Sequence, residues 1–184
     1  MRPEAIRTDC CHWFVMRDLK RSNAKLPAYK MLRDMGYKVF TPMRWRLSKR
    51  GGRNEKVLEP VIRDLLFVNS SREELDPVVE EVRTLQYRFQ KGAPRGSVME
   101  VPVLEMERFM AAVGSIEEPV YYGPEEIQPS MIGKKVEVVG GALHGYVGHL
   151  LAVKGVRKKR IILQLPGIIS VAVEVNPEYI KIVK

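Results

Sequence analysis

The residues in this chain best suited to chemistry are clustered cations rather than an acid, base or nucleophile. Between positions 43 and 63 stand Arg44, Arg46, Lys49, Arg50, Arg53, Lys56 and Arg63 against Glu55 and Glu59, seven cations to two anions and a net charge of +5. Trp45 lies among them. Such side chains neutralise phosphates and release counterions, giving salt-sensitive affinity that does not depend on base sequence. An indole in their midst can stack on an exposed base. The same charges would also simply solvate a surface hairpin. A second basic group, Lys154, Arg157, Lys158, Lys159 and Arg160, has a similar pair of readings: contact with RNA or an acidic protein face, or a solvated loop.

Other chemistry is poorly supplied. Cys10 and Cys11 are neighbours and the chain has no other cysteine. With His12, His144 and His149 they make no zinc-ligand spacing, so reduced thiols at a strand edge are expected. No Walker loop, paired-histidine metal helix or nucleophile elbow occurs, and no motif places a carboxylate or nucleophile with His144. The sequence therefore predicts no catalytic residue, no metal and no cofactor. A formal charge of +9 over 184 residues favours nucleic acid or acidic protein as partner. No basic amphipathic helix stands out, and no apolar run approaches the ~20 residues that span a bilayer. A membrane partner is not expected. The first residues, MRPEAIRTDCCHW, hold no apolar signal core, which predicts a cytoplasmic protein. A monomer is expected.

The elements that would carry these residues follow from periodicity. His12 to Met16 is apolar throughout and reads as a buried strand. Ser22 and Asn23 offer a helix cap, after which Ala28, Met31, Leu32 and Met35 share one helical face and Gly36 closes the helix. Tyr37 to Pro42 reads as a strand. The basic segment folds back on Gly51-Gly52 as a hairpin, and Leu65 to Val68 forms another buried strand. Ser71 and Glu74 are spaced as a capping box, with Asp76-Pro77 as a competing helix start and Val78, Val79 and Val82 facing inward. Leu85 to Phe89 reads as a strand, and residues 92–96 as a loop. Pro102 opens a helix with Val103, Met106, Phe109, Met110 and Val113 on one side and Gly114 at its end. An α+β domain over 10–114, a sheet with helices packed on it, is the expected outcome.

Residues 115–129 carry four glutamates, three prolines and no lysine or arginine, and read as a linker. Beyond them, over 130–184, come short β runs: Val136 to Val139, Tyr146 to Val153, Ile161 to Leu165, Val171 to Val175 and Tyr179 to Val183. They predict a small all-β barrel. The β-branched runs Ile161-Ile162, Ile168-Ile169 and Val171 to Val175 disfavour a stable helical form.

The C-terminal segment resembles a KOW domain. The resemblance is carried by Gly133-Lys134-Lys135-Val136-Glu137-Val138, then Gly140-Gly141-Ala142-Leu143-His144-Gly145-Tyr146-Val147-Gly148, and later by Ser170 to Val175. Gly140 and Gly141 are read as positive-φ turn residues, and Gly148 as the place where the barrel bends. At the other end, Trp13-Phe14-Val15, Tyr37-Lys38-Val39-Phe40-Thr41-Pro42, the glycine-tipped basic hairpin and a strand from Val61 to Val68 resemble the N-terminal domain of the NusG family. Where housekeeping members carry Phe-Pro-Gly-Tyr, this chain has Ile62-Arg63-Asp64-Leu65, which looks more like the specialised RfaH and UpxY-type antiterminators.

The resemblance implies a transcription elongation or antitermination factor that is not an enzyme. Its N-terminal domain would dock on the RNA polymerase clamp through Phe40, Pro42, Ile62 and Leu65. Ile62 and Leu65, three apart, would share a patch only across a kink. The hairpin residues Arg44, Trp45, Arg46, Lys49, Arg50, Arg53 and Lys56 would meet DNA of the elongation complex or nascent RNA. The KOW domain, by the resemblance an SH3-like barrel, would recruit a ribosomal protein or termination factor, with Leu143, His144 and Tyr146 as contacts. The rival reading is a KOW-containing RNA-binding protein of ribosome assembly.

Overall fold

The computed structural model describes residues 12–20, 26–50, 52–116, 119–152 and 159–183. Two compact units divide the chain, Met1–Val103 and Leu104–Lys184.

The first unit is built on strand β1 (His12–Asp18), helix α1 (Ala28–Asp34), strands β2 (Lys38–Phe40), β3 (Met43–Arg50), β4 (Arg53–Pro60) and β5 (Leu65–Asn69), helix α2 (Arg72–Glu81), and strands β6 (Leu85–Tyr87) and β7 (Glu100–Pro102). The antiparallel sheet runs β2-β5-β1-β6, and β7 pairs with β1 as well. β1 is central because its apolar run lets both faces be buried. Phe14 and Met16 join Leu66, Val68, Leu75, Leu85 and Tyr87 in one core with Ala28 and Leu32 of α1. Trp13, Val15, Leu65 and Phe67, on the alternate positions, are buried too.

Several boundaries differ from expectation for visible reasons. The cap expected at Ser22-Asn23 lies outside the described residues. α1 begins after Pro27, and its first N–H is served from a distance: the Ala28 N–H donates to Asp18 Oδ2 (2.6 Å), while Asp18 Oδ1 accepts from the Lys20 N–H ahead of the helix (2.9 Å). Ala28 and Leu32 are buried as read, but Met35 sits at the C-cap and is exposed. α2 starts at the Ser71 cap, whose hydroxyl accepts from the Glu74 N–H (3.3 Å); Pro77 is inside the helix rather than at its start. Residues 61–64 are a turn, not strand, with the Leu65 N–H donating to the Ile62 carbonyl (3.1 Å).

The second unit holds helix α3 (Val103–Gly114), which begins at the last residue of the first, then β8 (Val120–Tyr122), β9 (Ile132–Val138), β10 (Val147–Leu151), β11 (Arg160–Leu165), β12 (Ile169–Glu174) and β13 (Ile180–Ile182). The strands form one antiparallel sheet in the order β13-β9-β10-β11-β12-β8. Each C-terminal β run thus contributes a strand. The stretch read as a linker does not stay outside the fold: Val120, Tyr121 and Tyr122, three good strand formers between Pro119 and Gly123, pair with Ala172, Val171 and Ser170. α3 is counted with this unit rather than with the domain expected over 10–114, and its Met106, Phe109 and Ala112 are buried.

Gly140 is extended at φ −166° and takes no turn conformation, contrary to expectation; Gly141 is the residue at φ +71°. A Cβ on Gly140 would lie 2.7 Å from the Tyr179 ring, so contact rather than φ favours glycine there.

Candidate functional site

The basic segment forms a ribbon of its own. β3 and β4 pair only with each other, in unbroken register from Met43↔Pro60 to Arg50↔Arg53, and Gly52 takes a φ of +81° in the turn. Eight paired residues give the ribbon a length of roughly 26 Å. Its foot is closed by the Val61 N–H donating to the Pro42 carbonyl (2.9 Å). Residues 44–47 and 53–58 are exposed, so both ribbon faces meet solvent.

Directly opposed residues in an antiparallel pair share a face, and successive residues alternate. One face therefore carries Trp45, Leu47 and Lys49 from β3 with Leu58 and Lys56 from β4. Trp45 is 55% exposed, Leu47 66% and Leu58 45%. The other face carries Arg44, Arg46, Glu55, Val57, Glu59 and Arg53. There Glu59 Oε1 accepts a hydrogen bond from Arg44 Nη2 at 3.3 Å and forms an ion pair with Arg46 Nη1 at 3.5 Å. The seven hairpin residues singled out in the sequence thus do not act as one set. Two are held by a carboxylate on one face, while Trp45, Lys49 and Lys56 stand on the other. The Arg50 side chain lies outside the described residues. Sequence reading missed the apolar neighbours Leu47 and Leu58; the period-two alternation about Gly51-Gly52 was the available signal.

The four residues expected to dock on polymerase are only partly presented. Register pairs Phe40 with Phe67, and Phe40, Phe67 and Leu65 fall on one sheet face. Phe40 is half-buried, its ring 6.1 Å from that of Phe67. Ile62 is half-buried in the 61–64 turn, the kink that a shared patch required. Leu65, however, is 1% exposed and Pro42 is buried, so neither offers a side chain to a partner. Alternation correctly put Leu65 on a face but could not say that the face was covered. A cavity of about 240 Å³ opens on this unit, lined by Pro27, Tyr29, Pro60, Arg63, Leu65 and Leu66 among others; Phe40, Pro42 and Ile62 do not line it.

In the second unit, Leu143 is buried, Tyr146 half-buried and His144 exposed, so one of the three expected contacts stands free of the fold. Burial raises the Tyr146 pKa, opposed by a hydrogen bond with the Gln164 backbone. Tyr146, Leu163 and Leu165 line a second cavity of about 240 Å³ with Arg108 and Phe109 of α3. Lys154, Arg157 and Lys158 of the second basic group lie outside the described residues, as do Cys10 and Cys11. Among the described residues no group of histidine, cysteine or acidic side chains could hold a metal ion, and no helix is long and apolar enough to cross a membrane.

No family model and no curated protein matches the sequence. Among solved structures, the chain is similar to NusG of Thermotoga maritima, with 15% identity and a TM-score of 0.46, over 94% of this chain and 97% of that one. An overlap this loose leaves function to be argued from the chain's own residues.

Proposed function

We propose that the chain is a non-enzymatic transcription elongation or antitermination factor of NusG type, closer to the specialised RfaH and UpxY-like members than to housekeeping ones. The first unit docks on the RNA polymerase clamp and the β3–β4 ribbon reaches DNA of the elongation complex. The second unit, read as a KOW barrel, recruits a ribosomal protein or termination factor in the cytoplasm. The observation that carries this reading is the free-standing cationic ribbon on a compact α+β sheet domain. A body held at one surface that also presents phosphate-neutralising cations links two modest contacts, and each raises the effective concentration of the other. Binding the polymerase better in its closed, elongating state than in its paused state would shift that equilibrium by the difference in affinity alone.

The docking surface consistent with exposure is Phe40 with the 61–64 turn and the adjoining cavity, in place of the buried Leu65 and Pro42. The test is binding of the full chain to cognate core RNA polymerase, free of nucleic acid, at moderate salt. An Ile62→Asp, Arg63→Glu variant with an unchanged unfolding curve serves as comparison. Binding by the parent chain that the variant loses supports clamp docking. Absence of polymerase binding, with salt-sensitive binding to structured RNA, supports the ribosome-assembly reading instead.

A further inference from the structure

From the contacts around the 61–64 turn we infer that Arg88 is a positioning residue for polymerase docking: its ion pair with Asp64 holds the turn in the pose that presents Ile62 and Arg63. This rests on the docking reading above and adds a residue that acts through the turn. Three backbone hydrogen bonds frame the turn. The Val61 N–H donates to the Pro42 carbonyl (2.9 Å), the Leu65 N–H to the Ile62 carbonyl (3.1 Å) and the Asp18 N–H to the Asp64 carbonyl (2.9 Å). They fix where the chain enters and leaves. Side-chain support comes from Arg88, whose Nη2 lies 3.0 Å from Asp64 Oδ2. Arg88 is anchored in turn: its N–H donates to the Val15 carbonyl (2.9 Å), and its own carbonyl accepts from the Met99 N–H (2.8 Å). The neighbouring cation is no substitute. Arg17 pairs in register with Leu65, just past the turn, yet its Nε and Nη2 both donate to Gln86 Oε1, at 3.1 and 2.8 Å.

The pair is poorly suited to stabilising the fold. Arg88 Nε is buried without a hydrogen-bond partner among the described residues. A buried donor left unpaired costs free energy, and a partly exposed ion pair returns little. The Asp64 side chain is 42% exposed, so water takes over its carboxylate when the cation is removed. What Arg88 supplies is the conformation of the turn. A partner then meets a surface already in its bound pose, and the cost of ordering the turn is not taken from the affinity. A turn that held this pose for only a fraction of the time would bind more weakly by that fraction.

The experiment measures binding of the full chain to core RNA polymerase free of nucleic acid, with amide hydrogen exchange and unfolding of the free chain in parallel. Arg88→Met is expected to weaken binding roughly 3- to 10-fold, the ordering cost of about one side chain. Its unfolding midpoint should stay at or above that of the parent, because the unpaired Nε is gone. Exchange should quicken at the Leu65 and Asp18 amides, which bond to the turn, and stay unchanged at Phe67 and Val68 of β5. Asp64→Asn should match Arg88→Met, and the double variant should lose no more than either, since both remove one pair. Arg88→Lys should restore part of the binding. Additive losses would put Asp64 in direct contact with polymerase and overturn the inference. Parent-like binding by Arg88→Met overturns it too, as does a loss of binding in step with a lowered unfolding midpoint. In those cases the docking reading stands. A parent chain that does not bind polymerase overturns the docking reading and this inference with it.

Discussion

At the scale of single residues, two local arrangements govern stability rather than binding. Arg72 forks onto Asp76, with Nε 2.8 Å from Oδ1 and Nη2 3.1 Å from Oδ2, and the Tyr87 hydroxyl donates to the same Oδ1 at 2.7 Å. The Arg72 guanidinium also lies 4.6 Å from the centre of the Tyr87 ring. The hydrogen bonds from Arg72 hold the Asp76 carboxyl below its ordinary 3.8, while burial and then the bond to Asp76 push the Tyr87 phenol up. A depressed carboxyl stabilises the fold above its unfolded pKa and loses that contribution as pH falls through the folded value. The unfolding midpoint of the parent chain should therefore exceed that of Asp76→Asn at neutral pH, with the gap closing as pH drops below 3.8. A gap independent of pH would exclude the carboxylate as its cause. Gly148 is the second arrangement. A Cβ there would lie 2.7 Å from the Tyr146 ring, 3.0 Å from Ile161 Cγ2 and 3.1 Å from the Ile162 carbonyl oxygen. Gly148→Ala should cost about 1–3 kcal/mol by overpacking, measured by denaturant unfolding. The sequence had marked Gly148 as the place where the barrel bends without a side-chain clash, and the backbone oxygen explains why the neighbours cannot all give way.

Helices α1 and α2 show how an element's start can be local or distant. α2 is capped by Ser71, its immediate predecessor, and the Ser71/Glu74 spacing announced it. α1 is capped by Asp18, ten residues earlier on β1, which no spacing rule connects to Ala28. The consequence is measurable. Ser71→Ala should cost about 1 kcal/mol, the ordinary worth of a cap on an exposed helix end. Asp18→Ala leaves the buried Ala28 N–H and the part-buried Lys20 N–H without their acceptor and should cost more, about 2 kcal/mol or above. Equal costs in thermal unfolding would mean that water replaces the Asp18 carboxylate. The same contrast runs through the hairpin. Alternation of Arg44, Trp45, Arg46 and Leu47 was present in the sequence, but the pairs Arg44–Glu59 and Trp45–Leu58 exist only because the register is set by the turn between Arg50 and Arg53.

For the whole molecule, two units with unlike element content follow from unlike patterning. Helical and strand periods alternate up to residue 116, while after 129 only strand-forming runs remain. A polypeptide of residues 104–184 should give a far-UV spectrum governed by strand, with α3 its main helical contribution; a spectrum dominated by helix would contradict the strand preference of Ile161 to Leu165 and Val171 to Val175. The sequence by itself determined the strands of both sheets other than β7 and β8 to within a few residues, the glycine-tipped basic hairpin and the place of α2, because each depends on periodicity, turn chemistry or a cap within a few positions. Tertiary structure decided the rest. It recruited Val120 to Tyr122 from an acidic stretch into the second sheet and buried Leu65 and Pro42. It tied Arg44 and Arg46 to Glu59 and left Trp45 open on the other face. Each of these turns on which distant segment packs or pairs against a residue, and residue type and local spacing do not encode that.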